Sequence, residues 1–412
     1  MINFVVQKPF LIISKYKMSN TLNKSKVKYV GIDDPDLKIF ENQYKLEKGM
    51  AYNSYLILDE KTALLDTVDI RVGEKWKPLL LEALEGRTLD YLIVQHLEPD
   101  HSALVKWVVD TFPEITVVAS AKALSMLPQF FENFTLAEGK SIAVKDGDTL
   151  ELGEHKLEFC TAAMVHWPEV IMTLDSSEGT LYSADAFGKF GALSICGYDD
   201  EQEQDWLPEA RRYYLNIVGK YGAPVQGVLR KLAGKNINKI CPLHGPILTK
   251  ELGKYIEFYS KWSSYLPEED GVFIACASIH GNTWKVAQKA AEDLEKRGVK
   301  VRLSDLCNSD IAENVAQAFR FSRMILCASS YDAQLFTPMY DFLHRLQIKT
   351  YQRRKVAIVE NGSWAPSAAR IMIEMCAEMK NVDIVDPVLS IRSSFKPENQ
   401  QVYEELINKI LL

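Results

Sequence analysis

The chain is poor in histidine, has no paired cysteines and carries no basic excess. Its seven cysteines, at 160, 196, 241, 276, 307, 327 and 376, form no CxxC unit. That spacing supports neither a zinc ribbon nor a fused rubredoxin-type iron site. An odd, unpatterned set in a chain this long fits a reducing compartment, so a cytoplasmic location is expected. With 48 basic against 55 acidic residues the net charge is −7. Nucleic-acid binding needs a basic footprint, so no such partner is expected. No apolar run is long enough to cross a bilayer, so no membrane partner is expected either. There is no internal repeat and no low-complexity tract.

The composition is that of a globular protein, 47 % hydrophobic and 25 % charged. A length of 412 residues suggests more than one core. The opening "MINFVVQKPFLIISKYK" is basic and apolar, but Lys8 and Pro9 interrupt it as a signal peptide. We read residues 1–27 as an extension with Met18 as the natural start. From 28 to 262, short apolar runs broken by turn signals and two helical stretches suggest a mixed α/β layer structure. "DSSEG" falls between two such runs and reads as a hairpin turn. Residues 263–270, polar, acidic and Pro-bearing, read as a linker. From 271 to 412, strands alternate with helices five times, the pattern of a doubly wound parallel sheet.

"QHLEPDHSALVKW" (95–107) sets His96, Glu98, Asp100 and His101 within six residues, directly after the strand "YLIVQ". An extended segment would point residues 96, 98 and 100 to one side and turn His101 toward a second position. One loop could then feed two metals, His96 and Glu98 to one, Asp100 and His101 to the other. "MVHWPEV" adds His166, "YSADAFG" adds Asp185 and "CPLHGPI" adds His244, each after a strand-like run. Any single histidine there could be an ordinary buried one; the joint set is hard to obtain by chance.

The spacing HxExDH…H…D…H resembles the metallo-β-lactamase-like αββα sandwich in the form carried by flavodiiron proteins (A-type flavoproteins). Hydrolases of that superfamily usually show HxHxDH; Glu98 is the departure shared with the flavodiiron branch. Four imidazoles and three carboxylates form a hard, anionic set that suits iron and stabilises its ferric state. The resemblance implies that His96, Glu98 and His166 hold one iron, that Asp100, His101 and His244 hold the other, and that Asp185 bridges them.

In the C-terminal half, "SIHGNT" (Ser278, Ile279, His280, Gly281, Asn282, Thr283) runs from a strand into a helix, where hydroxyls and backbone N–H groups form an anion site. In a flavodoxin-like fold that anion is the FMN phosphate. "SSYDAQLFTP" follows the third strand and "NGSWAP" the fourth. Ser329, Ser330, Tyr331, Asp332 and Gln334 of the first, and Asn361, Gly362, Ser363, Trp364 and Ala365 of the second, are the candidate flavin contacts, with Trp364 over the ring. A common family form of the middle loop is closer to SPTxNN, which this chain does not match.

The resemblance therefore implies a two-domain flavodiiron protein in which FMN feeds a diiron centre that reduces O2 to water, NO to N2O, or both. It also implies a head-to-tail homodimer, alone or as a dimer of dimers, since the FMN of one subunit lies near the irons of the other. Lacking a rubredoxin site, the chain would take electrons from a separate rubredoxin, a reductase or a reduced deazaflavin. The competing reading is a zinc hydrolase of the same sandwich fused to a flavodoxin-like module. A flavin carrier with a vestigial metal site is disfavoured because all seven ligands are present.

Overall fold

Alternate residues of the short apolar runs go to different cores, and this separates the chain into layers. The computed structural model describes residues 26–202 and 206–412; the expectation about Met18 lies outside them. Strands β1 (Val27–Tyr29), β2 (Tyr55–Leu58), β3 (Thr62–Leu65), β4 (Tyr91–Val94), β5 (Thr116–Ser120) and β6 (Ser141–Val144) form one sheet in that order. A second sheet runs β7 (Thr149–Glu151), β8 (Lys156–Thr161), β9 (Ile171–Asp175), β10 (Thr180–Tyr182) and β11 (Lys239–Cys241). The DSSEG stretch turns β9 back onto β10, with Asp175 opposite Thr180.

One face of each sheet shares a cluster: Tyr55, Ile57, Ala63, Leu65 and Ile93 from the first meet Leu157, Phe159, Ile171, Tyr182 and Cys241 from the second. The period-2 alternation of strand side chains thus stacks the sheets face to face. The outer faces carry helices. On the first sheet, helix α1 (Ile70–Ala83), capped by Asp69 on the Arg71 N–H, buries Val72, Trp76 and Leu80 with Leu56, Leu64 and Leu92. On the second, α2 (Trp206–Ile217) and α3 (Leu252–Ser263) bring Tyr213, Tyr214, Tyr259 and Trp262 against Met172, Leu174 and Leu181. Each fully buried side chain of this size contributes about 1.5–3 kcal/mol. The result is a metallo-β-lactamase-like αββα sandwich.

The remainder is the flavodoxin-like sheet. Strands β12 (Glu269–Ala277), β13 (Val301–Asp305), β14 (Phe321–Tyr331), β16 (Arg354–Asn361) and β17 (Val382–Ile384) lie in the order β13-β12-β14-β16-β17 and pair in parallel. Short β15 (Gln334–Leu335) turns back on β14, and β18 (Leu389–Ile391) adds to β16. The fifth strand-like run is thus split in two around Asp386–Pro387, because proline cannot donate to a ladder. Val272, Ile274 and Cys276 face α4 (Asn282–Lys296) and the C-terminal helix α5 (Gln400–Leu411), while Phe273, Ala275 and Ala277 face the opposite side. That second face is continuous with the core of the sandwich.

Polar contacts fix the seam between the halves. Arg211 of α2 holds Glu268 through both oxygens at 2.5 and 2.6 Å, with both side chains 5 % exposed. Arg212 reaches Asp310 and Asn216 reaches the Ala312 carbonyl.

Candidate functional site

The strands of the sandwich end at one rim, and the seven candidate ligands sit there. His96 lies two residues beyond β4, His166 follows β8, Asp185 follows β10 and His244 follows β11. The 96–101 segment is not extended throughout. Glu98 is the last extended residue, at φ −57° and ψ 136°, and Pro99 then opens a single helical turn, Pro99–Ser102. Proline at the first helical position is pre-set for this turn. The alternation expected from 96 through 100 therefore stops at Glu98, and the turn aims Asp100 and His101 at a second point.

The side chains converge in two groups, His96, Glu98, His166 and Asp185 in one, Asp100, His101 and His244 in the other. In the first, His166 Nε2 lies 2.9 Å from Glu98 Oε2 and His96 Nε2 3.3 Å from the same oxygen. In the second, the Nε2 atoms of His101 and His244 face each other at 3.0 Å, with Asp100 Oδ2 3.2 Å from His244. Asp185 stands between the groups: Oδ2 is 3.1 Å from His166 Nε2, and Oδ1 is 3.2 Å from His101 Nε2.

The far ring nitrogens explain why these nitrogens point inward. His244 Nδ1 donates to the Ala51 carbonyl at 2.7 Å, and His96 Nδ1 donates to Glu169 Oε1 at 2.9 Å. Each Nε2 is left with a lone pair, the arrangement of metal-bound imidazoles. Both oxygens of Asp100 and Oδ1 of Asp185 are buried without a hydrogen-bond partner. Such orphaned acceptors cost about 1–3 kcal/mol each unless something compensates, and a cation at each group would do so. Burial opposes charge on His166, but Asp185 and Glu98 outweigh it and hold its pKa at about 9. Burial pushes Asp100 up to about 7. The pocket is built to hold positive charge, and the donor set fits a pair of hard or borderline metals.

Glu169 was invisible as a functional residue in the sequence, although it stands in the quoted "HWPEV". Asp66 was also missed. It accepts the Gln95 N–H at 2.8 Å and the His96 N–H at 3.3 Å, which pins the start of the ligand loop. Two cavities, of about 250 and 410 Å³, border Glu98 from either side of Glu41 and give small molecules access.

The flavin candidates gather at the carboxyl ends of β12, β14 and β16. They surround a cavity of about 450 Å³, lined by Ser278, Ile279, His280, Asn282, Thr283, Ser329, Ser330, Tyr331, Asp332, and Asn361 through Ala365. Ala333 and Ser393 also line it. Ser393 comes in after β18 because the Asn361 side chain bonds both its N–H and its carbonyl. Gly281 does not line the cavity; its φ of 86° forms the turn that starts α4. Gln334 is not a lining residue either, since it folds back to pair with Tyr331. Ser330 lines the cavity, and its hydroxyl is engaged by the Ser367 and Ala368 N–H groups. Trp364 is 87 % exposed at the rim. A polar loop at a helix N-terminus, at the switch point of a sheet of this order, fits a phosphate-bearing flavin.

Comparison with known proteins agrees with both halves. Residues 50–245 match the family model described as ODP family beta lactamase. The diflavin flavoprotein A 1 of Synechocystis sp. is 34 % identical over 287 residues, 68 % of this chain and 48 % of that protein. The anaerobic nitric oxide reductase flavorubredoxin of Vibrio vulnificus is 25 % identical over 387 residues, 92 % of this chain and 77 % of that protein. The chain spans about half the length of several curated relatives it matches, 48 % for that diflavin flavoprotein. Among solved structures, the rubredoxin oxygen:oxidoreductase of Desulfovibrio gigas has the same fold, with a TM-score of 0.85 at 22 % identity, covering 94 % of this chain and 96 % of that one. No helix among the described residues is long and apolar enough to cross a membrane. With a β-lactamase-like match over the ligand-bearing half and relatives named diflavin flavoprotein and flavorubredoxin, the chain is similar to these flavoproteins in both halves.

Proposed function

We propose that the chain is an oxidoreductase that takes electrons through FMN to a non-haem diiron pair and there reduces O2 to water, NO to N2O, or both. The observation that carries this reading is Asp185, whose two carboxylate oxygens face the two ligand groups separately. In this reading His96, Glu98 and His166 hold one iron, Asp100, His101 and His244 the other, and Asp185 bridges them. Iron at the two groups would supply electrons together to a small diatomic substrate, and FMN in the neighbouring domain's cavity would be their source.

The chain's own residues do the rest. Glu169 and the Ala51 carbonyl hold His96 and His244 in the metal-binding tautomer. Asp66 anchors the loop. The three carboxylates offset the positive charge of the metals, and Glu98 in place of a histidine tilts the set from hydrolysis toward redox work. The Ser278–Thr283 loop takes the FMN phosphate, and Trp364 covers the ring.

The division into a metal domain over 28–262 and an FMN domain over 271–412 belongs to the same proposal. So do a head-to-tail homodimer and an external donor such as a rubredoxin. The names of the flavorubredoxin and of the rubredoxin oxygen:oxidoreductase support a donor of that class. The experiment is anaerobic: iron- and FMN-loaded protein, reduced chemically, is mixed with O2 or with NO and substrate loss is followed. Consumption of either gas supports the reading. Consumption of neither by fully loaded protein overturns it.

A further inference from the structure

Behind the metal site the core is rich in aromatic rings, most of them Tyr and Trp. The Tyr213 ring lies 5.6 Å from that of His244. Phe187, two residues after Asp185, packs tilted at 4.3 Å on Tyr259, whose hydroxyl accepts the Phe187 N–H. Tyr259 lies 4.9 Å from Tyr214 and 5.6 Å from Trp262, and Tyr214 is 5.2 Å from Trp262. Trp262 stacks on Trp206 at 6.1 Å and 17°.

Packing alone does not account for these residue types. The hydroxyl of Tyr213 and the indole N–H of Trp206 are buried with no hydrogen-bond partner. Each such group is costly to bury, and at Tyr213 phenylalanine would fill most of the same volume without that cost. Trp262 differs from them: its Nε1–H donates to Glu268 Oε1 at 2.7 Å, and Arg211 fixes that carboxylate.

We infer that these rings form an exit for oxidising equivalents, running from the metal pair to Trp262, used when O2 has reacted and the flavin has no electron left to give. The inference rests on the proposed O2 chemistry. In each event one electron moves inward from a ring to the metal pair, which is thereby reduced by one. The vacancy passes outward and settles on Trp262, because a carboxylate on its N–H stabilises the oxidised indole and takes the indole proton. The Tyr213 hydroxyl, without an acceptor, is no resting place. A low-molecular-weight thiol in solvent returns one electron, Glu268 hands the indole proton back, the thiol's proton is released to solvent, and two thiyl radicals couple to a disulfide.

The test uses full-length protein loaded with iron and FMN, given fewer electrons than O2 requires, exposed to O2 and frozen. Electron paramagnetic resonance is expected to show a protein radical whose lines narrow when ring-deuterated tryptophan is incorporated. After thawing, peptide mass mapping is expected to find oxygenation at Trp262. Trp262→Phe is expected to lose both signals while keeping the wild-type rate of O2 consumption under ample reductant. Zinc-loaded protein is expected to show neither signal. Iron-loaded protein that consumes O2 yet gives no tryptophan radical, or gives the same one as Trp262→Phe, overturns the exit alone. Protein that takes up no iron, or ignores O2, overturns the O2 reading and the exit with it.

Discussion

Glu169→Gln is expected to loosen one metal far more than the other. Glu169 is buried, and its Oε1 accepts both the His96 Nδ1–H at 2.9 Å and the Leu97 N–H at 2.9 Å. Glutamine with its oxygen in that place keeps both acceptances and loses only the charge that makes His96 a stronger ligand. Its amide nitrogen would fall where Oε2 now lies buried without a partner, which costs about 1–3 kcal/mol of stability. Mutating such a partner of a metal-bound imidazole typically lowers affinity about 10–100-fold, or about 1.4–2.7 kcal/mol. The loss falls on the His96, Glu98, His166 group, because His244 is oriented independently by Ala51. Anaerobic competition with a graded chelator, read as metal retained per chain, should show one weakened and one unchanged site. Equal weakening of both sites, or no change, refutes the argument that Glu169 acts through His96.

Other outcomes follow from the same geometry. With His166 held near 9, metal uptake at neutral pH must displace its proton. Affinity for Zn2+ or Fe2+ should then rise roughly tenfold per pH unit up to about pH 9, with calorimetry in two buffers reporting the proton released. His155 gains a 2.6 Å contact to Asp175, which raises its pKa. That stabilisation is complete below the ordinary histidine value and is lost as pH rises through the raised one. Thermal denaturation of His155→Gln across pH should show a flatter profile. At Gly362 an added Cβ would lie 2.7 Å from Pro366 Cα, so Gly362→Ala should shift the loop and cut FMN retention by an order of magnitude in fluorescence titration. Arg211→Ala leaves Glu268 buried and unpaired and should cost about 3–5 kcal/mol in chemical denaturation.

How much was legible in the sequence depended on range. His96, Glu98, Asp100 and His101 stand in one loop, so their spacing was readable, and His166, Asp185 and His244 each follow a strand that a pattern of apolar residues marks. Glu169 was not legible as a partner, since it meets His96 across 73 residues and a lone glutamate carries no signal of that contact. The Ala51 carbonyl is a backbone group and has no signature at all. The turn at Pro99 was visible as a residue, yet its effect on Asp100 was misjudged because extended geometry was carried two residues too far, from Glu98 to Asp100. Gln334 was grouped with its loop by sequence, whereas β15 turns it back on Tyr331. Ser393 reached the cavity only through the Asn361 contacts. The aromatic stretches 206–217 and 252–263 carry no signal of their own in the sequence; their packing against His244 and Phe187 sets them apart.

The central claim is that the two ligand groups hold iron and that the cavity at β12, β14 and β16 holds FMN. It is tested most directly by counting iron, zinc and flavin per chain in protein purified from iron-replete cells. The account predicts about two irons and one FMN per chain. Two zincs and no flavin would contradict it and return the chain to the hydrolase reading.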